Sequence, residues 1–422
     1  MKAIKFFIFI VFILVGCQPQ TKREIRRPSE ALSIVRINYP LFNDDMGYKE
    51  LESAINRSIK YLLKLDPSKG FKYGKDIITC KEVIESQKML LNMIRQRPDI
   101  DELNMMIMER FKVYKAAGRK GKGDVLFTGY YEPIFDARLK PDNIYKYPIY
   151  KRPRDLIVID LGLFSRRFKG QKIIARISRR KVLPYYSREE IELKNRLKGR
   201  HLEIAYLKSF VDLMFLQIQG SGKLRLADGR IMNVGYSISN GRQYRSIGRY
   251  LIDNGYISKD RLSMQSIRDF LNKRPDLWAN LVRYNPSYVF FRVRRDGPRG
   301  NINVLLTPQR SIALDYRLFP KGALAFIRTK KPVLDENGKI IEWKRFSRFV
   351  LNQDTGGAIR GAGRVDIYFG TGDKAGIMAG SMKQIGELYI LVKRPAHEKE
   401  SLLIRKLRKI CYFLKKHFNA LN

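Results

Sequence analysis

The chain has 422 residues and 49.4 kDa, a length that suits two or three domains, and its 44% apolar content excludes a disordered chain. Lys and Arg number 83 against 41 Asp and Glu, so the net charge of +42 favours anionic partners or simple solubility. No RNA- or DNA-binding signature accompanies that charge, which leaves an acidic membrane surface or an acidic polymer ahead of nucleic acid.

The N-terminus reads as an address. Lys2 and Lys5 precede an unbroken apolar run from Phe6 to Val15, too short to span a bilayer and right for a secretory signal. Leu14-Val15-Gly16-Cys17 then resembles a bacterial lipoprotein box, with residues 1–16 as the signal and Cys17 as the acylated residue. Two or three acyl chains anchor a protein firmly where one is marginal. Gln18 replaces the aspartate that retains lipoproteins at the inner membrane, which points to the outer membrane, facing the periplasm.

Residues 17–40 read as a linker. Leu51, Ile55, Ile59, Leu62 and Leu63 recur at helical spacing after Asn43 and Asp44 as caps. A second helix carries Val83, Ile84, Gln87, Leu90, Leu91 and Ile94 and stops before Arg97-Pro98. A third carries Ile100, Leu103, Met106, Ile107, Phe111 and Tyr114, its methionines filling core. From Gly123 the texture turns to β, with short strands such as Leu156 to Ile159 and a small helix capped by Ser187 and Glu190. Val211 to Gln219 reads as a strand with Phe215, Gln217 and Gln219 on one face. Asp228-Gly229 marks a hairpin between flanking strands. A helical stretch runs from Ser246 through Leu271, and β structure resumes at Tyr288 and continues to Val392.

The most informative stretch is Gln353 to Gly361 followed by Val365 to Gly370. It sets Asp354 in a glycine turn and Asp366, twelve residues on, between branched apolar residues in a strand. A carboxylate in an apolar strand costs free energy unless it is partnered or employed. Gly370, Gly372, Gly376 and Gly380 then let backbone or a bulky ligand come close. This reads as the floor of a catalytic cleft with Asp366 as its acid. His201, His397 and His417 lie far apart, so a Ser–His triad or histidine metal site is not expected, and neither metal nor cofactor is called for. Cys80 and Cys411 remain as a pair that an oxidising compartment could join.

Several segments together resemble the family of membrane-bound lytic murein transglycosylases of type A. They are Thr128 to Pro133, Tyr147 to Tyr150, Gln217 to Gly222, Val234 to Tyr236, Tyr244 to Arg249, Asn285 to Phe291 and Asp354 to Gly370. The resemblance covers about residues 123–394. It implies a mainly β protein with N-terminal helices, a double-psi β-barrel interrupted by an inserted, mostly β domain. The catalytic part would be 41–133 plus 285–395 and the insert 134–284. Residues 396–422 depart from the family and read as a basic amphipathic tail, with Leu403, Leu407, Ile410 and Leu414 on one stripe. The tail is set outside the catalytic core to lie on an anionic membrane or touch murein, or else packs back on the core. Three aspartates of the family's C-terminal module match Asp315, Asp354 and Asp366.

The implied substrate is the glycan strand of peptidoglycan, cut between N-acetylmuramic acid and N-acetylglucosamine without water, the muramic C6 hydroxyl attacking its own C1. A tethered nucleophile leaves one carboxyl able to serve twice, where a hydrolase needs two. Asp366 takes that role, with Val365 and Ile367 expected to desolvate it. Asp354 is expected to shape the cleft and hold structure, and Asp315 to be structural, while Asp373 caps a short helix starting near Lys374. Gln217, Gln219, Gly220 and Ser221 suit sugar hydroxyls and N-acetyl groups, and Tyr130 and Tyr131 suit stacking on a pyranose or core packing. Cell-wall synthesis complexes stay open as partners. The rival readings are an aspartic protease, since Asp354-Thr355-Gly356 is that family's triplet but occurs once, and a lipoprotein that only grips murein.

Overall fold

The structure, a computed structural model, describes residues 25–395 and 401–420. Cys17, the signal segment and His397 lie outside the described residues. Six strands close into a barrel in the order 125–132, 383–393, 324–334, 340–354, 311–313 and 364–371, the last pairing back with the first. Strand 311–313 runs parallel to 340–354, and 364–371 runs parallel to 125–132, while the remaining pairs are antiparallel.

Both faces of the barrel wall are buried where helices cover it. Along 324–334 and 340–354, Ala325, Ile327 and Val350 point into the barrel, and Phe326, Phe349 and Leu351 point out against Leu51–Leu62, Cys80–Arg95 and Ile100–Arg110. The alternation is the period-two rule of a strand. Thr79 and Asp99 start the last two helices with reciprocal capping boxes to Glu82 and Glu102.

The first helix is built differently from expectation. Neither Asn43 nor Asp44 caps it; Glu50 stands at its start with φ 60° and no side-chain cap. Asp44 is instead in a fully buried ion pair with Arg310, 2.6 Å away, and also accepts the Phe349 N–H. The third helix ends at Arg110, and Phe111–Ala116 is a strand, so Phe111 and Tyr114 belong to the sheet. That strand joins the barrel's 383–393 edge and pairs on its other side with Leu32–Val35, inside the expected linker. The extra hydrogen bonds that an edge strand offers explain why this stretch is ordered.

The second sheet holds six strands in the order 289–294, 231–239, 221–225, 134–138, 203–207 and 147–150. Strand Val289–Arg294 is therefore bonded to the inserted part, beyond the expected limit at 284. The Asp228-Gly229 hairpin and the Ser187-capped helix form as expected. Phe210–Gln219 is a helix, not a strand. Seven of its ten residues are buried, and with only Asp212, Gln217 and Gln219 polar so short a run fits either period. The stretch from Ser246 breaks into Ile247–Asp253 and Met264–Lys273 around Gly255. The strand expected from Leu156 runs Ile157–Asp160. Cys80 and Cys411 are both free thiols, Cys80 buried with its Sγ on the Leu62 carbonyl.

Candidate active site

Asp366 lies on strand Arg364–Thr371, opposite Thr128 of the parallel neighbour and Ala313 of the antiparallel one. Alternation sends Val365, Ile367 and Phe369 into the barrel core and Asp366 and Tyr368 to the outer face. Val365 and Ile367 thus point away from the carboxyl, and the expectation that they desolvate it is corrected. Phe127 likewise points inward, which leaves Thr128 and Tyr130 beside the aspartate on the outer face. The Thr128 hydroxyl donates to Asp366 Oδ1 at 2.6 Å. Among the described residues no other side chain donates to this carboxyl. Burial raises its pKa above the usual carboxylate range, against the opposing pull of the Thr128 hydroxyl and the Arg364 charge.

Asp354 ends strand Ile340–Asp354. It accepts three hydrogen bonds, from the Tyr130 hydroxyl at 2.8 Å, the Asn301 N–H at 2.9 Å and the Thr355 N–H at 2.8 Å. Burial, with a smaller contribution from the Asp366 charge, still pushes it up to about 6. Asn301 comes from the loop that returns from the second sheet. Gly300 permits that approach, because a Cβ there would lie 2.2 Å from the Gln353 carbonyl oxygen. Tyr130 also sets its ring 5.3 Å from that of Tyr368. The two aspartates therefore share one outer patch of the barrel, at the end where the chain leaves for the second sheet and comes back.

The other expected residues divide. Tyr131 faces the opposite side of its strand from Tyr130, with its ring against Gly376, where a Cβ would meet it at 2.9 Å. Gly380 similarly receives Met264, so Gly376 serves packing within the barrel part and Gly380 packing between barrel and insert. Gln219 reaches the barrel, accepting the Tyr131 N–H at 3.2 Å. Gly220 ends the preceding helix with φ 77°, and Ser221 opens the next strand, half-exposed. Gln217 is 6% exposed, and its Oε1 accepts from Arg188, which also binds the Ser287 carbonyl. It is tied into the insert's interior. Asp315 is fully buried, with its carboxylate taken by the Arg317 guanidinium and the Gly361 N–H. Those donors hold its pKa below the ordinary value. Asp373 is the first residue of helix Asp373–Ser381 and makes no cap; Gly372 occupies that position.

Sequence reasoning assigned no role to Thr128, although it stands two residues before Tyr130 and so on the same strand face. Asn301 carried no sequence signal, since its donation to Asp354 spans 53 residues. Glu132, 1% exposed, continues the face of Thr128 and Tyr130 and accepts the Thr371 hydroxyl at 2.8 Å, with burial raising its pKa. Among the described residues no cluster of His, Cys, Asp and Glu could hold a metal.

Residues 126–292 match the MltA specific insert domain and residues 310–392 match the 3D domain. Membrane-bound lytic murein transglycosylase A of Escherichia coli K12 is 33% identical over 285 residues, 67% of this chain and 69% of the relative. A solved membrane-bound lytic murein transglycosylase from Agrobacterium tumefaciens superposes with a TM-score of 0.68 at 29% identity, covering 83% of this chain and 94% of that one. The E. coli MltA solved with bound chitohexaose gives 0.65 at 26% identity, covering 88% and 96%.

Proposed function

Because the chain belongs to the membrane-bound lytic murein transglycosylase A family, it is a peptidoglycan lytic transglycosylase, and we propose that Asp366 alone carries both proton transfers of its reaction. The observation that carries this reading is the contrast between the two carboxyls. Asp354 has three donors and suits a fixed role; Asp366 has one, the Thr128 hydroxyl, and keeps an oxygen for substrate. Its raised pKa favours the protonated form needed at the start. Asp366 gives its proton to the glycosidic oxygen as the bond from muramic C1 breaks. The C6 hydroxyl oxygen bonds to C1, and its proton returns to Asp366. The product is a 1,6-anhydro ring plus a chain with a free 4-hydroxyl, and no water is consumed. Attack from within the same sugar supplies a large effective concentration, so no second carboxyl has to activate a nucleophile.

Thr128 orients the acid, and the Tyr130–Asp354–Asn301 set fixes the neighbouring wall. The outer patch between barrel and insert forms the glycan cleft, with Gln219, Gly220 and Ser221 on the insert side; that the E. coli relative was solved with bound chitohexaose supports a saccharide ligand. Relatives are called membrane-bound, and no helix among the described residues is long and apolar enough to cross a membrane. Acylation at Cys17 in the outer membrane would account for both. Incorporation of labelled palmitate, absent in Cys17→Ala, checks that part. The catalytic reading is tested by zymography on murein. A clearing band, anhydro-muropeptides by mass spectrometry and their loss in Asp366→Ala are expected. Reducing-end products that carry solvent oxygen-18 would overturn it.

A further inference from the structure

The helix Leu402–Ala420 meets the body with its polar side. Arg408 is 3% exposed, donates to the carbonyls of Arg36 and Met108, and lays its guanidinium 4.5 Å from the Tyr39 ring centroid. Tyr412, 6% exposed, donates to Asp101, and Lys415 donates to the Tyr39 carbonyl. The tail therefore packs on the catalytic body, the alternative to a helix standing outside the core. These anchors fix its rotation and leave the apolar stripe facing out. Leu403, Leu407, Ile410 and Leu414 are 65%, 37%, 54% and 54% exposed, and Leu402 and Phe413 are exposed beside them.

From this orientation we infer that the outward face of helix Leu402–Ala420 is a docking surface for an anionic phospholipid bilayer, lying in its interface and holding the catalytic body in one orientation. Charge complementarity selects that occupant. The helix carries Arg405, Lys406, Arg408, Lys409, Lys415 and Lys416 and not one acidic residue, and Lys406 and Lys409 are exposed on its flank. An apolar stripe rimmed by lysines suits acyl chains below anionic headgroups, whereas a glycan offers no apolar depth. A second copy would set two such basic helices against each other. Chain connectivity agrees. Arg36, bonded to the helix, follows Cys17 by only nineteen residues, and Ile25 by eight, a stretch that spans at most about 30 Å. The helix is too basic to cross a bilayer and lies on it.

The test uses the chain from Gln18, which lacks Cys17 and so carries no acyl groups, and docking is read apart from the anchor. Co-sedimentation is measured with phosphatidylcholine vesicles with and without phosphatidylglycerol. The expected result is binding to the anionic vesicles only. It should fall at least about tenfold when Leu403, Leu407, Ile410 and Leu414 are all changed to Ser, from the apolar area those four insert. Melting temperature and cleavage of soluble murein fragments should be unchanged, because the four side chains are exposed on the outward face and the helix is anchored through Arg408, Tyr412 and Lys415. Wild-type protein that ignores anionic vesicles, or a quadruple variant that binds as well, overturns the proposal. So does a dimer by sedimentation velocity that the variant dissolves, because the stripe would then belong to a second copy.

Discussion

Asp366 and Asp354 lie on one patch, both raised by burial, yet their hydrogen bonds set them apart. An Asn at 366 still accepts from the Thr128 hydroxyl, so the fold should persist in Asp366→Asn while the proton relay is lost. Turnover of murein should drop at least about a thousandfold, the scale of one acid–base group extended to both steps. Near wild-type turnover would sink the assignment. The starting acid must be protonated, so wild-type kcat/KM should fall as pH rises through the raised pKa of Asp366, with one proton lost. Asp354 gives the complementary case. Its pKa is about 6 in the fold against an ordinary value of 3.8, so ionisation opposes folding. That cost is absent below the unfolded value, grows as pH rises between the two, and is complete above the folded one, at roughly 3 kcal/mol. A carboxylate that holds structure, as the sequence reading has Asp354, would make Asp354→Asn destabilising. Burial reverses the sign above neutrality: the Asn variant should melt above wild type at pH 8 and lose that advantage by pH 4. A variant that melts lower at pH 8 would show that its three donors outweigh desolvation.

At the level of elements, the legible parts were those whose run is several times longer than its period or is marked by a cap or turn. Helix Cys80–Arg95 and the Asp228-Gly229 hairpin announce themselves through caps, apolar spacing and turn residues. Phe210–Gln219 did not, because Phe215, Gln217 and Gln219 also fit the alternation of a strand and a run of ten residues is too short to decide between the two periods. The three aspartates were readable by motif, and Asp366 and Asp354 do meet, but the partners that tune them come from afar in sequence. Asn301 reaches Asp354 only because the insert sends its chain back past that carboxyl. Asp44 was misread for the same reason: a cap is a local rule, and its true partner, Arg310, lies 266 residues away. That pair joins the helical layer to the loop before strand Ser311–Ala313, with both side chains fully buried. Arg310 also donates to the carbonyls of Lys49 and Phe349. Removing the carboxylate strands a buried guanidinium, so Asp44→Ala should cost about 3–5 kcal/mol in urea denaturation. A loss under about 1 kcal/mol would mean that water reaches the site and solvates Arg310.

On the scale of the whole molecule, a closed barrel supplies rigidity and an insert supplies a second wall. The insert leaves directly after strand Val125–Glu132 and returns through the loop that carries Asn301, so both crossings flank the aspartates. A site at such a junction can hold a long polymer while its acid stays on a strand that cannot move. The net charge of +42 then acts on a different step from the chemistry. Murein carries carboxylates on its peptide stems, away from the sugar bond that breaks, so the protein's field should gather the polymer without entering the transition state. Salt separates the two effects, because exposed charges are screened over about 8 Å at physiological ionic strength and much less distance at higher salt. Binding of the unacylated chain to whole sacculi should weaken at least about tenfold from low to high salt. Turnover of a short, uncharged, peptide-free glycan at saturation should stay within about twofold, since the buried carboxyls at 354 and 366 feel little of the bulk ions. Pull-down of sacculi against added sodium chloride, with product release from the short glycan measured in parallel, gives both numbers. Sacculus binding that ignores salt would assign the basic surface to solubility, and a parallel fall in saturated turnover would place its charge inside the reaction.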